Sequence, residues 1–230
     1  MCGRFTQRFS WQQVHDYMNL LGEPVELAPR YNVAPGQQVA AVRTSDNGRR
    51  LSMLRWGLLP AWAKDPNMGY RMINARSETV ASKPAFRSAY RSRRCLIPAD
   101  GFYEWVREGS VRQPWLVDLT DGELMVFAGL WERWRVPENT PLPRSLQNAA
   151  PGDAIETCTV LTTQANEAMK PIHHRMPVIL PEDAFAPWLA GEDIALDPYP
   201  SEAISVRPVS RWVNNAAHEG PRCIEPIPAN

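Results

Sequence analysis

Three features of this 230-residue chain predict an α+β fold: a single domain of mostly antiparallel sheet, curled or barrel-like, with short helices at its periphery. Segments that read as strands outnumber those that read as helices, and the turns between them are local hairpin signals. The 22 prolines keep elements short and connections frequent. Hydrophobic residues make up 44% of the chain, which supports one sizeable core, and neither an internal repeat nor a second core is evident.

Ser10-Trp11-Gln12-Gln13 reads as a capping box opening a helix that Gly22 closes, with Val14, Met18 and Leu21 as its buried stripe. Gln38 to Thr44 reads as a strand, and Asn47-Gly48 turns it into a second strand from Leu51 to Trp56. Ser82 with Pro84 is predicted to start a short helix, with Phe86 and Tyr90 inward and Arg87 and Arg91 on another face. Three strands follow: Phe102 to Arg107, Pro114 to Leu119 and Leu124 to Trp131, separated by Glu108-Gly109 and Asp121-Gly122. Val136 to Asp153, rich in proline, asparagine and alanine, reads as a surface insertion. Ile155 to Thr162 is a buried strand, Glu167 to Met169 a short helix before Pro171, Met176 to Leu180 a strand, and Pro181 to Ala190 a helix ended by Gly191.

Lys plus Arg equals Asp plus Glu at 25 each, so bulk charge does not draw this protein onto nucleic acid, and any such contact needs a local patch. One lies between Arg71 and Arg94, where Arg71, Arg76, Lys83, Arg87, Arg91, Arg93 and Arg94 face a single acid, Glu78. Nine tryptophans are many for this length; Trp56, Trp62 and Trp105 stand beside polar motifs and could stack on bases. No apolar run is long enough to span a bilayer and no signal-peptide stretch is read at the N-terminus, so a soluble cytoplasmic protein is expected. Cys2, Cys95, Cys158 and Cys223 form no CxxC pair, so neither a structural metal nor a disulfide framework is expected; the last three read as core cysteines.

Cys2 directly follows the initiator methionine. A residue that small lets methionine aminopeptidase remove Met1, leaving a chain that begins with cysteine. Its amine (pKa about 7.7–8.0) and thiol (about 8.5) would sit on adjacent carbons, and both nucleophilic forms are accessible near neutrality. Such a pair can trap an aldehyde as an imine and close it to a thiazolidine; the thiol alone can serve in acyl transfer. Glu104 lies among Phe102, Tyr103 and Trp105, where desolvation suits a carboxyl that exchanges protons, and His173 stands at the mouth of a strand, where an imidazole can shuttle them.

Four strings carry this chemistry: Cys2-Gly3-Arg4-Phe5, Ile73-Asn74-Ala75-Arg76-Ser77-Glu78-Thr79, Asp100-Gly101-Phe102-Tyr103-Glu104-Trp105 and Ile172-His173-His174-Arg175-Met176-Pro177. Together with Arg30-Tyr31-Asn32-Val33-Ala34-Pro35-Gly36, Trp56-Gly57-Leu58-Leu59-Pro60, Gly129-Leu130-Trp131 and Thr162-Thr163, they resemble the SOS-response-associated peptidase (SRAP) family of abasic-site-processing proteins over nearly the whole chain. The Val136 to Asp153 insertion departs from the family pattern.

The resemblance implies a partner, single-stranded DNA carrying abasic sites, and a covalent thiazolidine between the lesion's aldehyde and a Cys2 freed of Met1. No cofactor is expected, since the His and Cys residues lack metal-ligand spacing. By motif, Cys2 is the nucleophile, Asn74 orients its amine, and Glu104 and His173 handle protons. The chemistry itself makes Glu104 the candidate for sugar-ring opening and the first proton transfers, and His173 the candidate for protonating the leaving oxygen and helping reversal. Arg4, Arg76 and Arg175 are expected on phosphates, Asn32 and Trp105 at the DNA surface, and Trp62 as a stacking wedge. A monomer in the cytoplasm, nucleoid-associated when bound to DNA, is expected. The rival readings are an N-terminal cysteine hydrolase, either a peptidase or an amidotransferase, and a non-catalytic single-strand binder in which Cys2 is incidental; the hydrolase would need an oxyanion hole that no string betrays.

Overall fold

The Ser10 hydroxyl accepts from the Gln13 N–H and the Gln13 side chain accepts from the Ser10 N–H, the predicted capping box. In this computed structural model, which describes residues 2–227 apart from the side chain of Glu108, it opens α1 (Trp11–Met18). The helix stops three residues before Gly22, because Asn19 adopts the left-handed conformation that ends it (φ 50°). Leu21 is consequently off the helix and exposed, its side chain lying against Gly48.

Two sheets build the molecule. The first runs β12-β8-β7-β1-β2, all neighbours antiparallel: β1 (Phe5–Gln7), β2 (Arg30–Val33), β7 (Gly101–Glu108), β8 (Val111–Leu119) and β12 (Ile204–Pro208). The second is a closed barrel of β3 (Gln38–Ser45), β4 (Gly48–Trp56), β6 (Arg94–Ala99), β9 (Met125–Arg135) and β10 (Ala154–Gln164). Closure comes from β10, which pairs antiparallel with β9 on one side and parallel with the end of β4 on the other, Thr157 facing Arg55. The freed length of β10 then pairs with β5 (Asn74–Arg76), in parallel, and with β11 (Arg175–Pro177). Closing the sheet removes the edges that an open one would expose.

Two short helices flank the barrel: α2 (Arg87–Ser92) and α3 (Phe185–Ala190), the latter ended by Gly191 at φ 83° as predicted. The first helix begins later than the Ser82-Pro84 signal suggests, since residues 79–86 form successive turns. Glu167 to Met169 is also turn rather than helix: the Asn166 carbonyl takes the N–H groups of Met169 and Lys170, and the Met169 carbonyl those of Ile172 and His173, in successive turns.

The main core lies between the two sheets. Phe5 of β1 packs edge-on against Trp56 of β4, with ring centroids 4.7 Å apart, and against Phe127 of β9. Trp56 is therefore fully buried and donates to the Ile73 carbonyl at 2.9 Å; it is a core residue and not a platform for a base. Cys95, Cys158 and Cys223 are buried as expected. Residues 136–153 fold back instead of projecting: Val136 and Leu146 join Leu59, Ala63 and Trp134 in a small core that supports the loop bearing Trp62. The Trp134 indole donates to the Ala63 carbonyl at 2.7 Å, which holds the loop to β9, and Arg55 donates to the Ser145 hydroxyl at 3.2 Å, which holds the segment to β4.

Candidate functional site

Strand pairing brings the four strings to one place. β1 lies antiparallel to β7 with Phe5 opposite Phe102, and Tyr103 donates to the Arg4 carbonyl at 3.0 Å, so the residues before β1 run alongside Glu104. β5 reaches the same end of the barrel through Asn74 opposite Val160. His173 arrives on the turn between β10 and β11, its own N–H held by the Met169 carbonyl at 2.9 Å.

Asn74 donates from Nδ2 to the Cys2 carbonyl at 2.7 Å, and its Oδ1 is buried with no hydrogen-bond partner among the described residues. The Cys2 thiol is fully buried and faces the Arg4 carbonyl at 3.7 Å. Burial holds that thiol well above its ordinary pKa, and the charge of nearby Glu104 acts in the same direction. Glu104 is 4% exposed. His173 is half-buried; desolvation holds its pKa below the usual 6.5 and outweighs the opposing pull of Glu104. The Arg175 N–H donates to His173 Nδ1 at 2.9 Å, a bond that assigns the neutral ring's proton to Nε2.

Glu104 and His173 border a cavity of about 390 Å³ that Gly3, Arg4, Trp105, Arg107 and Arg112 also line; Cys2, the residue before Gly3, is buried and is not itself part of the lining. Arg4 is positioned by neutral acceptors, Asn32 Oδ1 at 2.6 Å and the Val213 carbonyl at 3.0 Å. Burial lowers its pKa, and like-charged Arg112 adds to that shift. Trp105 is fixed through its indole N–H to Asn214 Oδ1 at 2.7 Å, with the Arg112 guanidinium 4.7 Å from its ring centroid.

Other predicted residues fall elsewhere. Asn32 is fully buried, not at a surface: its Oδ1 takes Arg4 while its Nδ2 faces the carbonyls of Asn215 and His218, at 2.9 and 2.8 Å. It positions Arg4 and anchors the C-terminal segment. Arg175 is likewise buried, its guanidinium held by both oxygens of Glu78 and by the Thr162 carbonyl, so it is largely committed to the fold. Arg76 is exposed on the rim of a second cavity shared with Lys170, His174 and Arg175. Trp62 is 59% exposed. Of the basic run, Arg71, Arg76, Lys83, Arg87 and Arg91 are exposed, whereas Arg93 pairs with Glu132 and Arg94 is buried.

The residues that sequence reasoning missed are Arg107 and Arg112, which pair directly across the β7–β8 hairpin, and the 213–218 segment that holds Arg4, Asn32 and Trp105. The hairpin pair had a signal, since Arg107 is two residues from Trp105 and Arg112 stands opposite it across Gly109-Ser110. The segment had none. No helix among the described residues is long and apolar enough to cross a membrane, and no group of three or more His, Cys, Asp or Glu among them could hold a metal ion.

Known proteins share this architecture. A crystal structure of a Bacteroides thetaiotaomicron protein superposes with TM-score 0.83 at 22% identity, covering 98% of this chain and all of that one. A Bordetella bronchiseptica structure gives 0.74 at 26% identity, over 91% of this chain and all of the other. The abasic site processing protein YoqW of Bacillus subtilis is 40% identical over 98% of this chain and 99% of its own length. YedK of Escherichia coli, with the same description, is 32% identical over 99% of this chain and 100% of its own. HMCES of Xenopus tropicalis, also described as an abasic site processing protein, is 32% identical over 90% of this chain and 68% of its own. The family model for SOS response associated peptidase (SRAP) matches residues 1–216, and this chain belongs to that family.

Proposed function

We propose that this protein captures abasic sites in single-stranded DNA by a covalent thiazolidine crosslink through Cys2, once Met1 has been removed. The observation that carries the reading is the bond from Asn74 Nδ2 to the Cys2 carbonyl beside a cavity bordered by Glu104 and His173. The descriptions of the YoqW, YedK and HMCES relatives support it. A cysteine whose carbonyl is fixed has its amine and thiol held in one relative orientation, as attack on a single aldehyde carbon requires.

The chemistry proceeds in balanced steps. Glu104 assists opening of the closed sugar to its aldehyde. The Cys2 amine attacks C1′ and gives a carbinolamine. The carbinolamine hydroxyl leaves as water, with a proton delivered by Glu104, and an iminium remains. The Cys2 thiol returns a proton to Glu104 as its sulfur adds to C1′ and closes the five-membered ring. Aldehyde plus aminothiol thus gives thiazolidine plus one water. His173, neutral with its proton on Nε2, donates a hydrogen bond to the departing oxygen. An iminium left open would promote β-elimination and strand cleavage; ring closure removes that electron sink, so the crosslink protects the strand.

The test is a denaturing gel of protein, confirmed by intact mass to begin at Cys2, with an oligonucleotide carrying one abasic site. A shifted band, lost in Cys2→Ala and absent on undamaged DNA, is expected. No shifted band from a confirmed Cys2 terminus overturns the proposal and favours the N-terminal cysteine hydrolase. In the same assay His173→Ala is expected to slow the crosslink by about 10²-fold.

A further inference from the structure

The cavity beside Cys2 holds more positive charge than anchoring the fold explains. Arg4, Arg107 and Arg112 all line it. Among the described residues Arg4 is bonded to neutral groups, Asn32 Oδ1 and the Val213 carbonyl. Neither Arg107 nor Arg112 forms a salt bridge among the described residues, although the two side chains are exposed and stand directly opposite one another across β7 and β8. Like charges in register repel, and Arg112 also destabilises the charge on Arg4. Against these three cations the cavity presents, among the described residues, one acid, Glu104, on its buried wall. A cluster of this kind is relieved by an anion that accepts from several guanidiniums at once, and phosphate is the group whose geometry suits them.

We propose that Arg4, Arg107 and Arg112 form a phosphate subsite in the cavity lined by Gly3, the residue next to Cys2, and that the protein therefore also captures small phosphorylated aldehydes, of the class of 2-deoxyribose phosphate, free of any DNA strand. The inference rests on the thiazolidine reading above. The reaction has the same balance: the open-chain aldehyde condenses with the Cys2 amine and thiol, a thiazolidine forms and one water leaves. The cavity, at about 390 Å³, accommodates a five-carbon sugar and one phosphate. A terminal phosphate carries close to two charges at neutral pH, against one for a phosphodiester within a strand, so it gains more from three guanidiniums.

The experiment follows adduct formation by intact mass, using protein confirmed to begin at Cys2 and incubated with 2-deoxyribose, its 5-phosphate or its 3-phosphate. Each rate is divided by that of free cysteine with the same sugar, which removes differences in open-chain content. At least one phosphate is expected to raise the corrected rate about tenfold or more over 2-deoxyribose. That ratio should fall towards one in R107Q/R112Q and be largely retained in R107K/R112K, which keeps the charge. Equal corrected rates for sugar and both phosphates, with the abasic oligonucleotide still crosslinking, overturn the subsite alone; an unchanged ratio in R107Q/R112Q also overturns it. If neither sugars nor the oligonucleotide react, the thiazolidine reading itself fails.

Discussion

The side-chain amide of Asn74 donates to the main-chain carbonyl of Cys2 at 2.7 Å, across 72 residues of sequence and between two different sheets. Asn74 sits on β5, which the barrel strand β10 holds in parallel register, while Cys2 leads into β1 of the other sheet. The bond therefore ties Cys2 to the barrel. Asn74→Ala removes the donor, and the crosslinking rate on an abasic oligonucleotide is expected to fall by about 10- to 100-fold. Asn74→Asp sets a carboxylate against a carbonyl oxygen and is expected to fall further. Single-turnover gel kinetics, with circular dichroism to confirm folding, decide the matter; a wild-type rate in Asn74→Ala would remove Asn74 from the site.

Asn32 is predicted to act on stability as well as on Arg4. It is fully buried and spends its amide on Arg4 and on the carbonyls of Asn215 and His218. Truncation to alanine strands these partners in a desolvated place and should cost about 2–3 kcal/mol in urea unfolding. Loosened Arg4 should also weaken binding to single-stranded DNA and flatten its salt dependence. A stable Asn32→Ala with unaltered salt dependence would contradict the positioning role.

Gly57 joins Trp56 to the loop that carries Trp62. Its φ is +125°, and an added Cβ would lie 2.7 Å from the Gly69 carbonyl oxygen. Both the conformation and the backbone contact exclude a side chain there. Gly57→Ala is expected to cost about 1–3 kcal/mol in denaturant unfolding. An unchanged midpoint would show that the 66–71 turn can move aside.

The Glu78–Arg175 pair predicts an acid-dependent loss of stability. Hydrogen bonding from Arg175 is the main cause that lowers the Glu78 pKa below its ordinary 4.5. The folded state therefore binds this proton less readily than the unfolded chain does. The contribution is complete above pH 4.5 and is lost as pH falls through the lower folded value. Glu78 is 43% exposed at its side chain, so solvent screening limits the pair to about 1 kcal/mol or less. Thermal melts should show Glu78→Gln less stable than wild type at pH 7, with the gap narrowing below pH 4.5. A gap that stays constant down to pH 3 would contradict the linkage.

Elements signalled by local chemistry were legible in the sequence. The capping box at Ser10, the β3–β4 and β7–β8 hairpins and the Gly191 helix stop depend on residues a few positions apart, and each formed as predicted. The short strands β1, β2, β5 and β12 escaped because three to five residues carry too little periodicity to register. β6 escaped for another reason: all six of its residues are buried, and after Arg94 the unbroken run of residues 95–99 shows no alternation. Trp56 was misplaced because neighbouring motif residues suggested a surface and Asn32 because the resemblance implied one, whereas a strand's face depends on what packs against it.

By itself the sequence determined the α+β class, the hairpin order and which residue types could do chemistry, since propensity, turn geometry and side-chain reactivity are properties of short stretches. Only the tertiary structure decided that Asn74 holds Cys2, that Asn32 serves Arg4 from below, and that Arg107 and Arg112 share a cavity with Glu104 and His173. Those relationships are set by pairings between segments tens to hundreds of residues apart, such as β10 with β5 and Arg4 with Val213. Their energy comes from closing the barrel and packing the second sheet against it, and no local stretch of chain encodes that.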